Sequence, residues 1–193
     1  MILSALLACA PNVASATLES VINIESRSNP FAVHVNGLYE QPPSPRDAKD
    51  AAKIADQYIA RGYSVDLGLM QVNSRNLALL GVTVEQVLDP CTNIRSGARI
   101  LAADYAEAAR TRREGQLALE AALSAYNTGD FYKGFVNGYV ARYYGPGVVP
   151  ALGAVLEARA MVPAPHGIVA SAPSPYTAST SVFAREPMNV RID

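Results

Sequence analysis

Apolar residues recur at steps of three and four along three long stretches of the chain, residues 15–28, 92–113 and 116–127. This spacing places the apolar side chains on one face of an α-helix, so each stretch is predicted to be a helix that faces the core. The predicted core positions are Leu18, Val21 and Ile22 in the first helix, Ile94, Ala98, Leu101, Tyr105 and Ala108 in the second, and Leu117, Ala121 and Ala125 in the third.

Capping residues predict where shorter helices begin. Ser44, followed by Pro45, is predicted to cap a helix that ends before Gly62. Thr83 and Gln86 are three residues apart and fit a capping box, which predicts another short helix.

Two further helices are predicted around glycine and aspartate signals. One follows the segment that ends at Asn73 and is closed by Gly81. The other is capped by Asp130 and continues to about Tyr144. A last, weak helix is expected over residues 150–160.

The region between the first two predicted long helices contains extended segments. Residues 31–35 and 38–40 flank the pair Asn36-Gly37, and an Asn-Gly pair between apolar-rich segments predicts a β-hairpin. Residues 63–67 form another extended segment. The pattern therefore predicts a mainly helical chain with a small β element.

The composition indicates how much of the chain folds and which classes of partner are excluded. Half of the 193 residues are hydrophobic, enough for a folded domain, predicted over residues 1–160. Residues 161–193 are rich in Pro, Ala, Ser and Thr and are predicted to form a flexible tail. The net charge of −1 gives no basic surface for nucleic acid, so that class of partner is excluded. We also expect no membrane span, since no apolar run approaches about 20 residues.

Two features of the first half leave alternatives open. Residues 1–8 are apolar but lack a basic segment, so they are either a truncated signal peptide or the first helix of the fold. Cys9 and Cys91 are either two buried thiols or one disulfide that stabilises an exported protein.

Glu25 is the candidate for chemistry because it lies on an apolar helix face. It follows Leu18, Val21 and Ile22 by seven, four and three residues, so all four side chains share that face. A desolvated carboxyl has a raised pKa and keeps the proton that a general acid donates. The alternative is a Glu at the edge of the face that reaches water or pairs with Arg27.

Several short motifs occur in a fixed order along the chain. They are Cys-Ala-Pro from Cys9, Glu25-Ser26, Gly-Leu-Met-Gln-Val-Asn from Gly68, Asp-Pro-Cys from Asp89, and Ala-Tyr-Asn-Thr-Gly from Ala125. Together they resemble the soluble lytic transglycosylase family and, within it, the VirB1-type members of type IV secretion systems.

The resemblance implies a mainly α, α+β lysozyme-like fold: a helix bundle with a small β-hairpin lobe flanking a glycan groove. It implies that Glu25 is the catalytic residue and that the Tyr139 hydroxyl reaches its carboxylate. The residues that it places along the substrate are Ser26, Gly68, Met70, Gln71, Tyr126 and Asn127.

The implied reaction cleaves the β-1,4 bond between N-acetylmuramic acid and N-acetylglucosamine in peptidoglycan and leaves a 1,6-anhydro end. It requires no metal and no organic cofactor. The implied partners are glycan strands and components of a type IV secretion system, and the implied location is the periplasm.

The sequence departs from the family at one position and leaves the mechanism open at another. His34 stands where many members have a serine; it either donates a hydrogen bond there or faces solvent, and solvent is favoured. Asp66 is a candidate second carboxylate, as in a lysozyme-type hydrolase, or simply part of a turn. A non-catalytic peptidoglycan-binding component of a secretion apparatus is the alternative function.

Overall fold

The computed structural model describes residues 2–112 and 115–144, which form a mainly helical domain with a three-stranded antiparallel sheet. The predicted helix over residues 150–160, the predicted tail over residues 161–193 and the boundary between them lie outside the described residues. The helices are α1 (Ile2–Leu7), α2 (Ser15–Ser26), α3 (Ala48–Ile59), α4 (Leu77–Leu80), α5 (Val84–Val87), α6 (Pro90–Arg112), α7 (Gln116–Thr128), α8 (Lys133–Val136) and α9 (Ala141–Tyr144). The strands are β1 (Val33–Val35), β2 (Val65–Leu67) and β3 (Val72–Asn73).

The three long predicted helices correspond to α2, α6 and α7, and α6 packs along α7. The core positions predicted in α2 and α6 are all buried. In α7, the prediction for Leu117 is wrong, because this residue is 42% exposed. The buried face of α7 begins one residue later, at Ala118, and continues through Ala121, Ala122 and Ala125 at helical spacing.

The sheet has the order β1-β2-β3, and its hairpin joins β2 to β3. The hairpin predicted around Asn36-Gly37 is wrong, because β1 pairs with β2, with His34 opposite Asp66. Gln41 gives the physical reason. Its Oε1 accepts from the Val35 amide at 2.7 Å and its Nε2 donates to the Val35 carbonyl at 2.9 Å, so a side chain closes the outer edge of β1.

Two predicted helix boundaries also differ. Asp47, not Ser44, caps α3, with its Oδ1 accepting from the Asp50 amide at 2.8 Å. The helix predicted from Asp130 to Tyr144 is divided into α8 and α9, because Gly138 adopts a φ of 79° between them. The capping box of Thr83 and Gln86 is confirmed.

The beginning of the described chain is part of the fold. α1 packs against α2 and α6, and Leu7 is buried in the core. Cys9 and Cys91 form a disulfide, which joins the segment after α1 to the first turn of α6. Within the described residues, none of the helices has the length and apolar character that crossing a membrane requires.

Candidate active site

Glu25 lies in the last turn of α2, beyond the buried face formed by Leu18, Val21 and Ile22. The residue is half-buried, and its carboxyl accepts a hydrogen bond from the Tyr139 hydroxyl. Burial raises the pKa of Glu25 from 4.5 to about 7, outweighing the Tyr139 hydrogen bond, which lowers it. The structure therefore favours the desolvated carboxyl over the solvent-exposed alternative.

A second tyrosine extends this contact. The Tyr139 hydroxyl lies 2.6 Å from the Tyr143 hydroxyl, and the two rings meet edge to face with centroids 5.4 Å apart. Because a hydroxyl has one hydrogen, a Tyr139 that donates to Glu25 accepts from Tyr143. Tyr143 was missed from the sequence, although its spacing of four residues from Tyr139 is the helical signal that would have found it.

Arg142 connects the last described helix to the end of α2 that carries Glu25. Its Nη2 donates to the Ile24 carbonyl at 2.9 Å, and its guanidinium carbon lies 5.7 Å from the centroid of the Tyr139 ring. Its positive charge lowers the pKa of Glu25, as the smallest of the four effects on that carboxyl. Arg142 was not identified from the sequence either.

The loop between β2 and β3 is held by hydrogen bonds to a buried asparagine. Asn93 donates to the carbonyls of Leu67 and Val87 and accepts from the Met70 amide, each at 2.8 Å. Gly68 has a φ of 72°, and a Cβ there would lie 2.3 Å from Asn93 Nδ2. Gly68 is therefore required by backbone conformation and by the approach of Asn93, a residue that the sequence motifs did not reveal.

Ser26 joins the end of α2 to the same loop. Its hydroxyl donates to the Leu69 carbonyl at 2.8 Å and lies 3.1 Å from the Ile22 carbonyl. The residue next to Glu25 thus fixes the position of the loop that follows β2.

Met70 and Tyr126 lie beneath the surface. Met70 has no exposed area, Tyr126 is 2% exposed, and the Tyr126 hydroxyl donates to the Met70 carbonyl at 2.6 Å. A Cβ at Gly97 would come within 2.8 Å of the sulfur of Met70 and of the Tyr126 hydroxyl. The side chains of Met70 and Tyr126 therefore have almost no exposed surface in this structure, and their placement along the substrate stays a prediction.

Gln71 and Asn127 are more accessible, and each is half-buried. Gln71 has a φ of 47°, and its Nε2 donates to the carbonyls of Gly68 at 2.9 Å and Ala32 at 3.3 Å. Asn127 accepts from Asn137 Nδ2 at 3.2 Å. Gln71 is thus held against the loop by its amide nitrogen, which leaves its amide oxygen on the opposite side of the carboxamide.

Asp66 lies at the centre of the sheet's polar face. Its two oxygens accept from Asn36 Nδ2 at 2.9 Å and from Asn73 Nδ2 at 2.7 Å. Burial raises the pKa of Asp66, whereas these two hydrogen bonds and the charge of His34 lower it. His34 is exposed, as the favoured interpretation of the sequence predicted.

Known proteins are similar to this chain over most of the residues that the structure describes. Residues 3–143 match the family described as the transglycosylase SLT domain. The VirB1 protein of Agrobacterium fabrum strain C58 is 45% identical over 134 residues, which cover 69% of this chain and 54% of that protein. The VirB1 protein of Rhizobium radiobacter is 40% identical over 146 residues, which cover 75% and 60% of the two chains.

A third relative is named for the machinery that it belongs to. The type IV secretion system protein VirB1 of Brucella suis biovar 1 is 39% identical over 130 residues, which cover 66% of this chain and 53% of that protein. The chain therefore spans between 53% and 60% of the length of these relatives. No solved structure matches it.

Proposed function

Since the chain belongs to the transglycosylase SLT domain family, we propose that it is a lytic transglycosylase that cleaves the glycan strands of peptidoglycan. The observation that carries this proposal is the raised pKa of Glu25, about 7, at a half-buried carboxyl held by Tyr139. A carboxyl that is still protonated near neutral pH has the property that a general acid needs.

The hydrogen bond from Tyr139 determines which oxygen carries that proton. Tyr139 donates to Oε1 of Glu25, so the proton of the neutral carboxyl lies on Oε2. Tyr143 supports this arrangement by donating to the Tyr139 hydroxyl. Oε2 is then the atom that protonates the glycosidic oxygen.

One carboxyl can serve both halves of the reaction. Glu25 gives its proton to the leaving oxygen as the bond to C1 of the muramic acid breaks. The N-acetyl group of that sugar assists, its 6-hydroxyl attacks C1, and the hydroxyl proton returns to Glu25. The product is a 1,6-anhydro end, no water is added, and the rate is expected to fall as pH rises through about 7.

The other predicted site residues divide into two roles. Ser26, Gly68, Met70 and Tyr126 position the loop after β2 through backbone contacts. Gln71 and Asn127 are half-buried and carry side-chain amides, and we assign hydrogen bonding to sugar to them.

The relatives, one of which is named for type IV secretion, support a proposal about the setting. We propose that this chain opens the cell wall locally for such a system, in the periplasm and in contact with its components. The disulfide between Cys9 and Cys91 agrees with an oxidising compartment.

The decisive experiment compares the wild-type protein with Glu25→Gln on purified peptidoglycan sacculi. The variant keeps the shape and can still accept from Tyr139, but cannot donate the proton, so we expect no muropeptide release from a folded protein. Glu19→Gln, on the exposed face of the same helix, is the matched control and should retain full activity.

Mass spectrometry of the products distinguishes the remaining possibilities. Anhydro ends are expected, whereas reducing ends would show a lysozyme-type hydrolase. Binding to sacculi without any cleavage by the wild-type protein would show a non-catalytic component, and full activity of Glu25→Gln would refute the role of Glu25.

A further inference from the structure

Asp66 is a half-buried carboxylate in the middle of strand β2. It lies between Val65 and Leu67, whose side chains are fully buried in the core, so the Asp66 side chain leaves the opposite face of β2. Its cross-strand neighbours on that face are His34 and Asn73. Its carboxylate is partly removed from water, and the side chains that hydrogen-bond to it within the described chain are two neutral amides.

The two asparagines are arranged to favour an anion at this position. Each donates to a different oxygen of Asp66, Asn36 to Oδ2 and Asn73 to Oδ1. Asn73 also accepts from the Arg75 amide at 3.0 Å through its own Oδ1, which fixes its Nδ2 toward Asp66. Because two amide donors converge on one side chain, the ionised carboxylate fits better than a neutral group.

Asp66 also belongs to the same small assembly as Glu25. The loop that leaves β2 is tied to α2 three residues after Asp66, where Ser26 donates to the Leu69 carbonyl. The negative charge of Asp66 raises the pKa of Glu25, so the two carboxyls interact electrostatically. Asp66 receives two amide hydrogen bonds and Glu25 one tyrosine hydrogen bond, which favours ionisation of Asp66 first.

We propose that Asp66 is the second carboxylate of the site, which stays ionised beside the neutral Glu25 and stabilises the positive charge that develops on the sugar whose glycosidic bond breaks. A pair of carboxyl groups held in opposite protonation states divides the work of glycosidic cleavage between acid and electrostatic stabiliser. This inference rests on the proposed transglycosylase activity.

The role is electrostatic, and Asp66 forms no bond to the sugar. As the bond to the leaving oxygen breaks, C1 and the ring oxygen become positive, and the fixed carboxylate lowers the energy of that state. The 6-hydroxyl still closes on C1, so the products keep anhydro ends. Asn36 and Asn73 act as positioning residues that hold the carboxylate in place.

The test measures release of anhydro muropeptides from sacculi by Asp66→Asn, with Asp56→Asn as a control that removes the same charge from the exposed face of α3. We expect Asp66→Asn to lower kcat about 100-fold, the size expected for one fixed electrostatic group, with KM changed less than about 3-fold and Asp56→Asn unchanged. Asp66→Glu, which keeps the charge, should recover part of the loss.

The pH profile separates this role from a structural one. Without the charge of Asp66, the pKa of Glu25 should fall, so the alkaline limb of the plot of kcat against pH, where Glu25 loses its proton, should move to lower pH. Tyr139 and Arg142 still act on that carboxyl in the variant. A folded Asp66→Asn variant with wild-type kcat and an unmoved limb would overturn the proposal. If Asp66→Asn does not fold, Asn36→Ala decides: it removes one donor to Asp66, so a kcat lowered about 5-fold supports the proposal and an unchanged kcat overturns it.

Failure of this inference is distinguishable from failure of the proposed function. If the wild-type protein releases anhydro muropeptides and Glu25→Gln does not, the function holds and the Asp66 variants alone decide the inference. If the wild-type protein releases none, both proposals fall.

Discussion

Glu25 keeps its proton because burial outweighs every group that would remove it. The Tyr139 hydroxyl and the Arg142 charge favour the carboxylate, whereas desolvation and the charge of Asp66 favour the neutral acid. Tyr139 therefore lowers the pKa of Glu25 without outweighing burial, and its hydrogen bond to Oε1 leaves Oε2 for the proton. Burial thus keeps the Glu25 carboxyl protonated near neutral pH, as the proposed role of general acid requires.

The raised pKa of Glu25 has a consequence for stability that does not depend on substrate. A carboxyl whose pKa is 4.5 in the unfolded chain and about 7 in the fold stabilises the fold fully below pH 4.5, and that contribution is lost as pH rises to about 7. Glu25→Gln carries no such dependence. We therefore expect the free energy of unfolding of the variant to increase relative to that of the wild-type protein, by up to about 3 kcal/mol, as pH rises from 4.5 to beyond 7.

Urea unfolding of both proteins across this range measures the difference. Glu19→Gln is the charge-matched control, and any trend that it shows is subtracted. A difference between Glu25→Gln and the wild-type protein that does not change with pH would contradict the assigned pKa shift.

At the scale of elements, the loop between β2 and β3 is held from three helices. Asn93 of α6 binds its backbone, Ser26 of α2 donates to Leu69, and Tyr126 of α7 donates to Met70. The family motifs contain the loop and two of these partners, but they omit Asn93. The loop is therefore a junction at which α2, α6, α7 and the sheet fix one another.

Asn93→Ala should weaken this junction. The substitution leaves the carbonyls of Leu67 and Val87 and the amide of Met70 without their side-chain partner in a buried setting. We expect the free energy of unfolding to fall by about 2 to 4 kcal/mol, measured by urea titration. Asn23→Ala, on the exposed side of α2, is the control.

An Asn93→Ala protein as stable as the wild type would show that water replaces all three contacts.

The sequence predicted elements well where the signal is local. The apolar stripes of α2 and α6 and the capping box of Thr83 depend on neighbours within one or two turns, and the structure confirms them. The Asn36-Gly37 hairpin failed because Gln41 competes for the backbone of Val35. That contact spans only six residues, but neither the apolar pattern nor the turn signal identifies a side chain that takes the place of a strand.

The candidate site shows the same division. Glu25 and Tyr139 were paired by resemblance, and their contact across 114 residues is present. Arg142 was missed because its role depends on α9 packing beside α2, a long-range arrangement, whereas Tyr143 could have been found from its spacing of four residues from Tyr139. The burial of Met70 and Tyr126 could not be predicted from the motif, because a motif names residues but does not give their depth.

At the scale of the whole molecule, the Cys9–Cys91 disulfide closes a covalent loop of the chain that contains all three strands of the sheet. Its two cysteines are 82 residues apart, and α2, α3 and the three strands lie between them in the chain. The covalent link therefore restrains the unfolded chain over the region that carries Glu25 and Asp66.

This arrangement predicts a large effect on stability and a small one on chemistry. Closing a loop of this length lowers the entropy of the unfolded chain, so replacing both cysteines by serine should lower the free energy of unfolding by about 2 to 5 kcal/mol. Urea titration with and without reductant measures this difference in the free energy of unfolding. The wild-type protein should lose stability on reduction, and the double variant should not respond.

Below its unfolding transition, the double variant should cleave sacculi at the wild-type rate, because α6 still carries Asn93 and α2 still carries Glu25. A folded double variant that has lost activity would instead mean that the disulfide also sets the geometry of the site.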